Sequence, residues 1–185
     1  MKELDEITLA RAQRGDRAAF RSLIEAYKRP VHAIIGRMMV GRARQAEVED
    51  LAQETFLRVY RALPAFEARG PGRLSRWILT IATRLALDEL RRLRPDPAAR
   101  EQSDDVPGHD RTDDALHRRA LASAIANAVD ELSAEQRAVF LLREFHDFEY
   151  QEIASTLDID VGTVKSRLSR ARAQLQLSLE ELRHG

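Results

Sequence analysis

The chain has 185 residues, with 30 basic and 30 acidic side chains and no cysteine. That length fits one ordinary domain or two small ones, and the missing cysteine excludes disulfide frameworks, thiolate zinc sites and cysteine nucleophiles. With 44% hydrophobic but only 5% aromatic residues, 8 glycines and 6 prolines, the composition favours an all-α fold over a β-rich one.

The N-terminus, MKELDEITLARAQRGD, is charged throughout and gives no signal peptide. The most apolar stretch, PVHAIIGRMMVG, is interrupted by His32 and Arg37 and is too short to span a bilayer. A soluble, cytoplasmic protein is expected. Between Thr8 and Tyr27, Leu9, Phe20, Leu23 and Ile24 alternate with charges, which predicts a helix pair broken around Gly15-Asp16. Pro30 then fits the first turn of a new helix through Ile34, Ile35 and Met38, stopping near Gly41. Asp50 precedes a further helix, LAQETFLRVYRAL, with Leu51, Thr55 or Phe56, Val59 and Leu63 on one face and Pro64 at its end. Pro64 to Gly72 reads as a loop because it contains Gly70-Pro71-Gly72. Beyond it Leu74, Ile78, Ile81, Leu85 and Leu93 continue a helical stripe, with Trp77 and Leu90 alongside.

RPDPAAREQSDDVPGHDRTDD, Arg94 to Asp114, has three prolines, one glycine and hardly any large apolar residue. It reads as a flexible acidic linker, because it cannot bury enough surface to order itself. Two small helical domains are therefore expected, at residues 1–94 and 115–185, joined by a linker over 95–114. The second opens with an amphipathic helix to about Glu131. Ser133 and Gln136 then fit a capping box, followed by Val139, Phe140 and Leu142 as a buried face. Tyr150 to Leu157 is a short helix, Asp158-Ile159-Asp160 a turn, and Val161 to about Leu182 a long last helix.

Net charge of zero conceals an uneven distribution. Arg73 to Arg94 carries six arginines against two acids, and Pro95 to Ala115 two arginines against seven acids. Asp130 to Asp160 has two arginines against nine acids, whereas Val161 to Gly185 has five basic residues against two. Positive and negative segments alternate, which keeps nucleic acid open as a partner.

A short helix, a three-residue turn and a longer basic helix form the helix-turn-helix pattern. Ile153, Ala154 and Leu157 face inward on the first helix, Ile159 plugs the turn, and Val164, Leu168, Ala171 and Leu175 form the core stripe of the last. Ser166, Ser169 and Arg170 point away from that stripe, flanked by Lys165, Arg167 and Arg172. Such a face suits a major groove: arginine reads guanine edges, serine tolerates several bases, and the flanking cations meet phosphates. Asp160 caps the helix, whose N-terminus is then expected to help hold a phosphate. A merely solvated Arg-rich face is outweighed by the absence of acids from Val161 to Leu175 and by the helix and turn before it. For the cationic helix after Gly72, spacing leaves two readings open, a solvated surface or a platform for a displaced single strand. Trp77 suits a core anchor where the loop enters that helix.

His146-Asp147-Phe148-Glu149 reads as surface rather than as a metal site, because no further ligands stand at credible spacing. No Gly-rich phosphate loop, Ser-His-Asp spacing or paired-carboxylate pattern is present. Neither an enzymatic activity, a cofactor nor a small-molecule substrate is expected.

Together these stretches resemble the bacterial RNA polymerase sigma factors of the extracytoplasmic-function (ECF) class. DLAQETFLRVYRALPAF (Asp50 to Phe66) is similar to the family's core-polymerase-binding segment, and LSRWILTIATRLALDELRR (Leu74 to Arg92) to its minus-ten helix. Leu132 to Leu175 resembles its domain for the minus-thirty-five element. The resemblance implies that residues 1–94 bind core polymerase and recognise and melt the minus-ten element, and that 115–185 recognise the upstream element. Asp50, Gln53 and Glu54 would meet the clamp helices of the polymerase's largest subunit. Arg73, Arg76, Trp77, Thr80, Arg84 and Arg91 would hold the non-template single strand, where unstacking a base costs a few kcal/mol. Thr163, Lys165, Ser166, Arg167, Ser169, Arg170 and Arg172 would read the upstream element as duplex. The family also implies a separate anti-sigma factor as partner, since the chain ends soon after its last helix. Two departures stand out: Asp158 occupies the usual glycine of the turn, and Glu149 the usual Ser or Thr before the short helix. The alternative reading is a stand-alone helix-turn-helix repressor or activator that binds duplex DNA as a dimer.

Overall fold

The computed structural model describes residues 3–41, 45–67, 73–93, 125 and 127–184. Among these, every regular element is helical. Asp5 opens α1 (Glu6–Gln13) by accepting from the Thr8 amide at 2.8 Å. Asp16 opens α2 (Arg17–Met38) by accepting from Ala18 and Ala19 at 2.9 and 3.1 Å, so local capping chemistry sets both starts. Gly15 makes the break between them at φ +86°, a conformation that favours glycine.

Pro30 does not open a helix as expected; it lies inside α2, which continues unbroken to Met38. Proline removes one backbone donor there. The turns on either side are held by burial, with Tyr27 at 1% and Val31, Ile34 and Ile35 at 0% exposure. Tertiary packing outweighs the local signal. Burial also pushes the Tyr27 phenol up to about 12, while its oxygen accepts from the Leu4 amide at 3.0 Å.

The following elements are α3 (Gln45–Ala62), a single 3-10 turn at Leu63–Ala65, and α4 (Arg73–Arg92). The helix α3 starts earlier than Asp50, which therefore sits within it rather than before it. Leu93, assigned to the buried stripe of α4, is instead exposed, and Ile81 is half-buried. The central α2 packs against α1, α3 and α4, so Leu23, Ile34 and Met38 share one core with Val59, Leu63, Ile78 and Ala82.

In the C-terminal half, residues 127–131 are helical and lead into α5 (Ala134–Glu144), α6 (Tyr150–Leu157) and α7 (Val161–His184). The capping box at Ser133 forms, with its hydroxyl accepting from the Gln136 amide and the Gln136 side chain accepting from the Ser133 amide. Val139, Leu142, Ile153, Val164 and Leu168 are buried together. Phe140 is only half-buried, packed beside the smaller cluster of Ala128, Val129, Leu132, Ala171 and Leu175. The acidic linker expected over 95–114 lies outside the described residues, as does most of the helix expected before Glu131.

The two halves pack directly on each other: α5 meets α2 and α4, and α6 meets α4. Arg137, only 2% exposed, is the central tie. Its Nη1 donates to the carbonyl of Met38 at 2.7 Å, and its Nη2 to the Asp130 carbonyl and carboxylate at 2.5 and 2.7 Å. The Met38 carbonyl, at the end of α2, lacks a helical partner and carries the negative end of the helix dipole. Beside this tie, the Arg37 guanidinium stacks over the Phe145 ring at 4.7 Å. His146, expected at the surface, is half-buried next to Arg37, and burial together with that cation lowers its pKa to about 4.

Replacing Arg137 with methionine keeps the aliphatic bulk but strips the donors from several desolvated carbonyls. Urea denaturation should show a loss of about 3 kcal/mol or more, and an unchanged midpoint would contradict the tie. His146 gives a pH prediction. A base whose folded pKa is depressed contributes stability above its unfolded value of 6.5, and that contribution is lost as pH falls from there towards about 4. The wild-type minus His146→Gln difference in unfolding free energy should shrink by at most about 3 kcal/mol across that window.

Candidate nucleic-acid interface

The helix-turn-helix is built largely as its residues dictate. Glu149 precedes α6, and its amide donates to the Glu152 carboxylate at 2.9 Å, so an acidic pair replaces the usual hydroxyl cap. Asp158 ends α6 in the left-handed region at φ +54°, the conformation asked of the turn's usual glycine. The Ile159 amide donates to the Ala154 carbonyl at 3.0 Å and closes the turn.

On α7, Val164, Leu168, Ala171 and Leu175 are all buried, which turns Lys165, Ser166, Ser169 and Arg170 to solvent. Arg167 is half-buried at the border of that face. The other residues expected there are engaged. Thr163 donates its amide to one Asp160 oxygen at 2.8 Å and its hydroxyl to the other at 2.5 Å. These bonds hold the Asp160 carboxyl below its ordinary pKa. A carboxylate therefore occupies the start of α7, and a phosphate there would meet it, contrary to the expected anion site. Arg172 forms an ion pair with Glu144 of α5 and leaves the exposed strip short: two hydroxyls, Lys165 and Arg170.

A second face lies on α4. Its entry is fixed by the rings of Phe66 and Trp77, 4.6 Å apart at 30°, which clamp the chain on both sides of the residue 68–72 segment. The Gln13 amide donates to the Phe66 carbonyl at 2.6 Å and braces the same point from α1. Trp77 is half-buried, in keeping with a core anchor. Arg76, Thr80, Arg84 and Arg91 recur at helical spacing on one side of α4, and Arg73 is exposed at its first residue.

In the described arrangement that stripe contacts the C-terminal half. Arg76 lies 3.3 Å from Glu152, and the Thr80 and Thr156 hydroxyls are 3.0 Å apart. Arg84 donates from Nε to the Thr156 carbonyl at 2.7 Å and from Nη2 to the Ser155 carbonyl at 2.9 Å. Arg91 lies 3.6 Å from Glu135 and 3.7 Å from Asp88.

The third face is the outer ridge of α3. Val48, Ala52, Thr55, Phe56 and Val59 are buried, so Asp50 and Gln53 are exposed and Glu54 is half-exposed beside them. The Glu54 carboxylate accepts from Arg58 at 2.8 Å. Leu57 and Tyr60, 50% and 48% exposed, extend this ridge and border an apolar groove towards Phe20 and Ile24 of α2. The helical stripe assigned to Leu51, Thr55, Val59 and Leu63 contains the signal for them: residues opposite it on α3 must face out. No group of three or more His, Asp or Glu side chains that could hold a metal ion occurs among the described residues.

The family model Sigma-70 region 2 matches residues 23–95, and Sigma-70, region 4 matches residues 122–175. The RNA polymerase sigma-H factor of Pseudomonas aeruginosa is 31% identical, covering 98% of this chain and 96% of the relative. The ECF RNA polymerase sigma factor SigW of Bacillus subtilis is 30% identical, over 94% of this chain and 96% of that protein. Among solved structures, the sigma factor RpoE of Bartonella quintana, in complex with the anti-sigma factor NepR, has a TM-score of 0.67 at 24% identity, covering 87% of this chain and 96% of its own. At that identity the likeness concerns the fold.

Proposed function

Because the chain belongs to the ECF class of the sigma-70 family of RNA polymerase sigma factors, we propose that its three exposed or cationic faces divide the work of promoter recognition. The α3 ridge of Asp50, Gln53 and Glu54, with Leu57 and Tyr60, binds the clamp helices of core polymerase. The α4 stripe and Trp77 hold the non-template strand of the minus-ten element as it opens. Lys165, Ser166, Ser169 and Arg170 enter the major groove of the upstream element as duplex.

The observation that carries this division is the separation of charge and burial along three helices. Each helix buries one apolar stripe and leaves a polar side whose chemistry suits one partner. An acidic and amide ridge with two exposed apolar side chains fits a protein helix pair. Cations spaced along α4 beside an indole fit a single strand, and short hydroxyls beside Arg170 fit base edges. No residue in these faces is assigned a catalytic role. Among the described residues no helix is long and apolar enough to cross a membrane, and core polymerase is a cytoplasmic partner. A separate anti-sigma factor is the expected regulator. The stand-alone repressor reading is not favoured, because regions 2 and 4 of the family occur together in this chain.

In vitro transcription with purified core polymerase, followed by sequencing of transcript starts, tests the reading. Specific starts that need the added protein are expected, and duplex binding without polymerase-dependent initiation would favour a repressor. Asp50→Arg should abolish capture of core polymerase while leaving circular dichroism and thermal unfolding unchanged, because Asp50 is exposed. Arg170→Ala should weaken initiation by about 1–3 kcal/mol, with the loss confined to promoters that carry the upstream element. An equal loss on a promoter with that element scrambled would overturn base reading by Arg170.

A further inference from the structure

We infer that Gln13, on α1, is a positioning residue for strand capture: its side-chain amide holds the Phe66 carbonyl so that the Phe66 ring fixes Trp77 at the start of the strand-holding face. The inference rests on the strand-holding role proposed for Trp77 and α4. It reaches outside the matched family segment, since α1 ends before residue 23, where the region 2 match begins.

The contact is built from both of its sides. Phe66 leaves the 3-10 turn of Leu63–Ala65 in an extended conformation, φ −73° and ψ 125°, so its carbonyl has no helix to supply a donor. Gln13 supplies one at 2.6 Å. The same nitrogen lies 3.3 Å from the Leu63 carbonyl, which also accepts from the Phe66 amide at 3.0 Å. A primary amide carries two N–H donors, and here one amide grips both ends of the turn. Gln13 is itself aimed. It is the last residue of α1, whose Leu9 and Ala12 are buried. Beyond it the Gly15 amide donates to the Ala12 carbonyl at 3.0 Å, and Asp16 both caps α2 and pairs with Arg11 at 2.6 Å. The side chain therefore leaves from a point that two helices hold in place.

What this grip controls is the indole. Phe66 and Trp77 are both half-buried, with ring centroids 4.6 Å apart, and Trp77 stands near the start of α4. Part of the indole remains at the surface, and the Phe66 ring limits the orientations that part can take. Stacking a base on a ring already in place avoids the cost of ordering that ring during binding. Leu63, only 1% exposed, gives the turn its own apolar anchor. The Gln13 bonds set the direction in which the chain leaves that anchor. Gln13 touches no strand in this scheme: it acts through Phe66, and Phe66 acts through Trp77.

Trp77 is the sole tryptophan of the chain, so its fluorescence reads this point directly. Gln13→Met keeps the length of the side chain and removes its donors. In the free full-length variant, Trp77 emission should move to longer wavelength and quench more readily with acrylamide. Assembled with core polymerase, the variant should bind a labelled single-stranded oligonucleotide, taken from the non-template strand of its mapped promoter, about two- to tenfold more weakly than wild type. Capture of core polymerase should be unchanged. Phe66→Leu leaves the carbonyl acceptor but removes the ring, and should give a similar loss. The double variant should bind no more weakly than the weaker single variant, because both changes act through Trp77. Unchanged emission, unchanged oligonucleotide affinity, additive losses, or a parallel loss of core capture would each overturn the inference. Trp77→Ala separates it from the reading beneath it. If that variant binds the oligonucleotide as tightly as wild type, the strand-holding reading fails and the inference falls with it. If it binds weakly while Gln13→Met binds normally, the inference alone fails.

Discussion

The relation between the two halves depends on one buried guanidinium. Arg137 stands on α5, yet its donors reach the carbonyls of Met38, the last residue of α2, and of Val40 just past it, and Asp130 and Leu132 beside its own helix. A planar fork of five donors can serve carbonyls in several directions at once, which a lysine ammonium on a single stem cannot. Burying such a charge is costly, so every acceptor it finds matters. Once Arg137 fixes α5 against α2, the short connection through Phe145 to Phe148 fixes α6, and α6 in turn sets the crossing of α7. The same tie therefore decides which helix end faces α4. Gly41 fits this point closely: a side chain there would collide with the Asp130 carboxylate, only 2.4 Å from where a β-carbon would sit.

Much of each half can be read from local chemistry. The stripe of Val164, Leu168, Ala171 and Leu175, the Ser133 capping box and the left-handed Asp158 all depend on residues within a few positions of one another. Those rules act before tertiary structure forms, and the fold respects them. What could not be read depends on partners distant in the chain. Pro30 looks like a helix start because the first turn tolerates its missing donor, but the apolar face from Tyr27 to Met38 holds the helix together through it. Arg137 looks like a surface charge between Gln136 and Ala138, and two of its acceptors lie 97 and 99 residues away. His146 looked like a solvated loop residue for the same reason. The site shows the same division. The outward face of α7 follows from its period, whereas the covering of α4 follows from docking of the two halves.

The alternation of charge along the chain gains a physical meaning from this docking. A composition of 30 acids and 30 bases says nothing about partners, but the positive α4 and the negative α5–α6 segments lie against each other. Exposed pairs such as Arg91 with Glu135 contribute about 0–1 kcal/mol each and weaken with salt. They select a partner face more than they hold it. Persistence comes from the apolar contacts of α2 and α4 with α5 and from Arg137.

This division of labour gives the two sides of the interface different chemistry. If α4 were held by a large apolar surface alone, exposing it to a polar nucleic acid would leave that surface against water. Its stripe is instead a row of cations and one hydroxyl, satisfied by carboxylates and helix-end carbonyls when covered. A phosphate backbone offers the same kind of acceptor, with more charge. The carboxylates and helix-end carbonyls that meet these arginines are thus the same class of partner as the phosphates proposed for them. The tie at Arg137 and the apolar contact around it lie away from the stripe. Recognition and restraint are therefore carried by neighbouring but separate groups, so each can change without destroying the other.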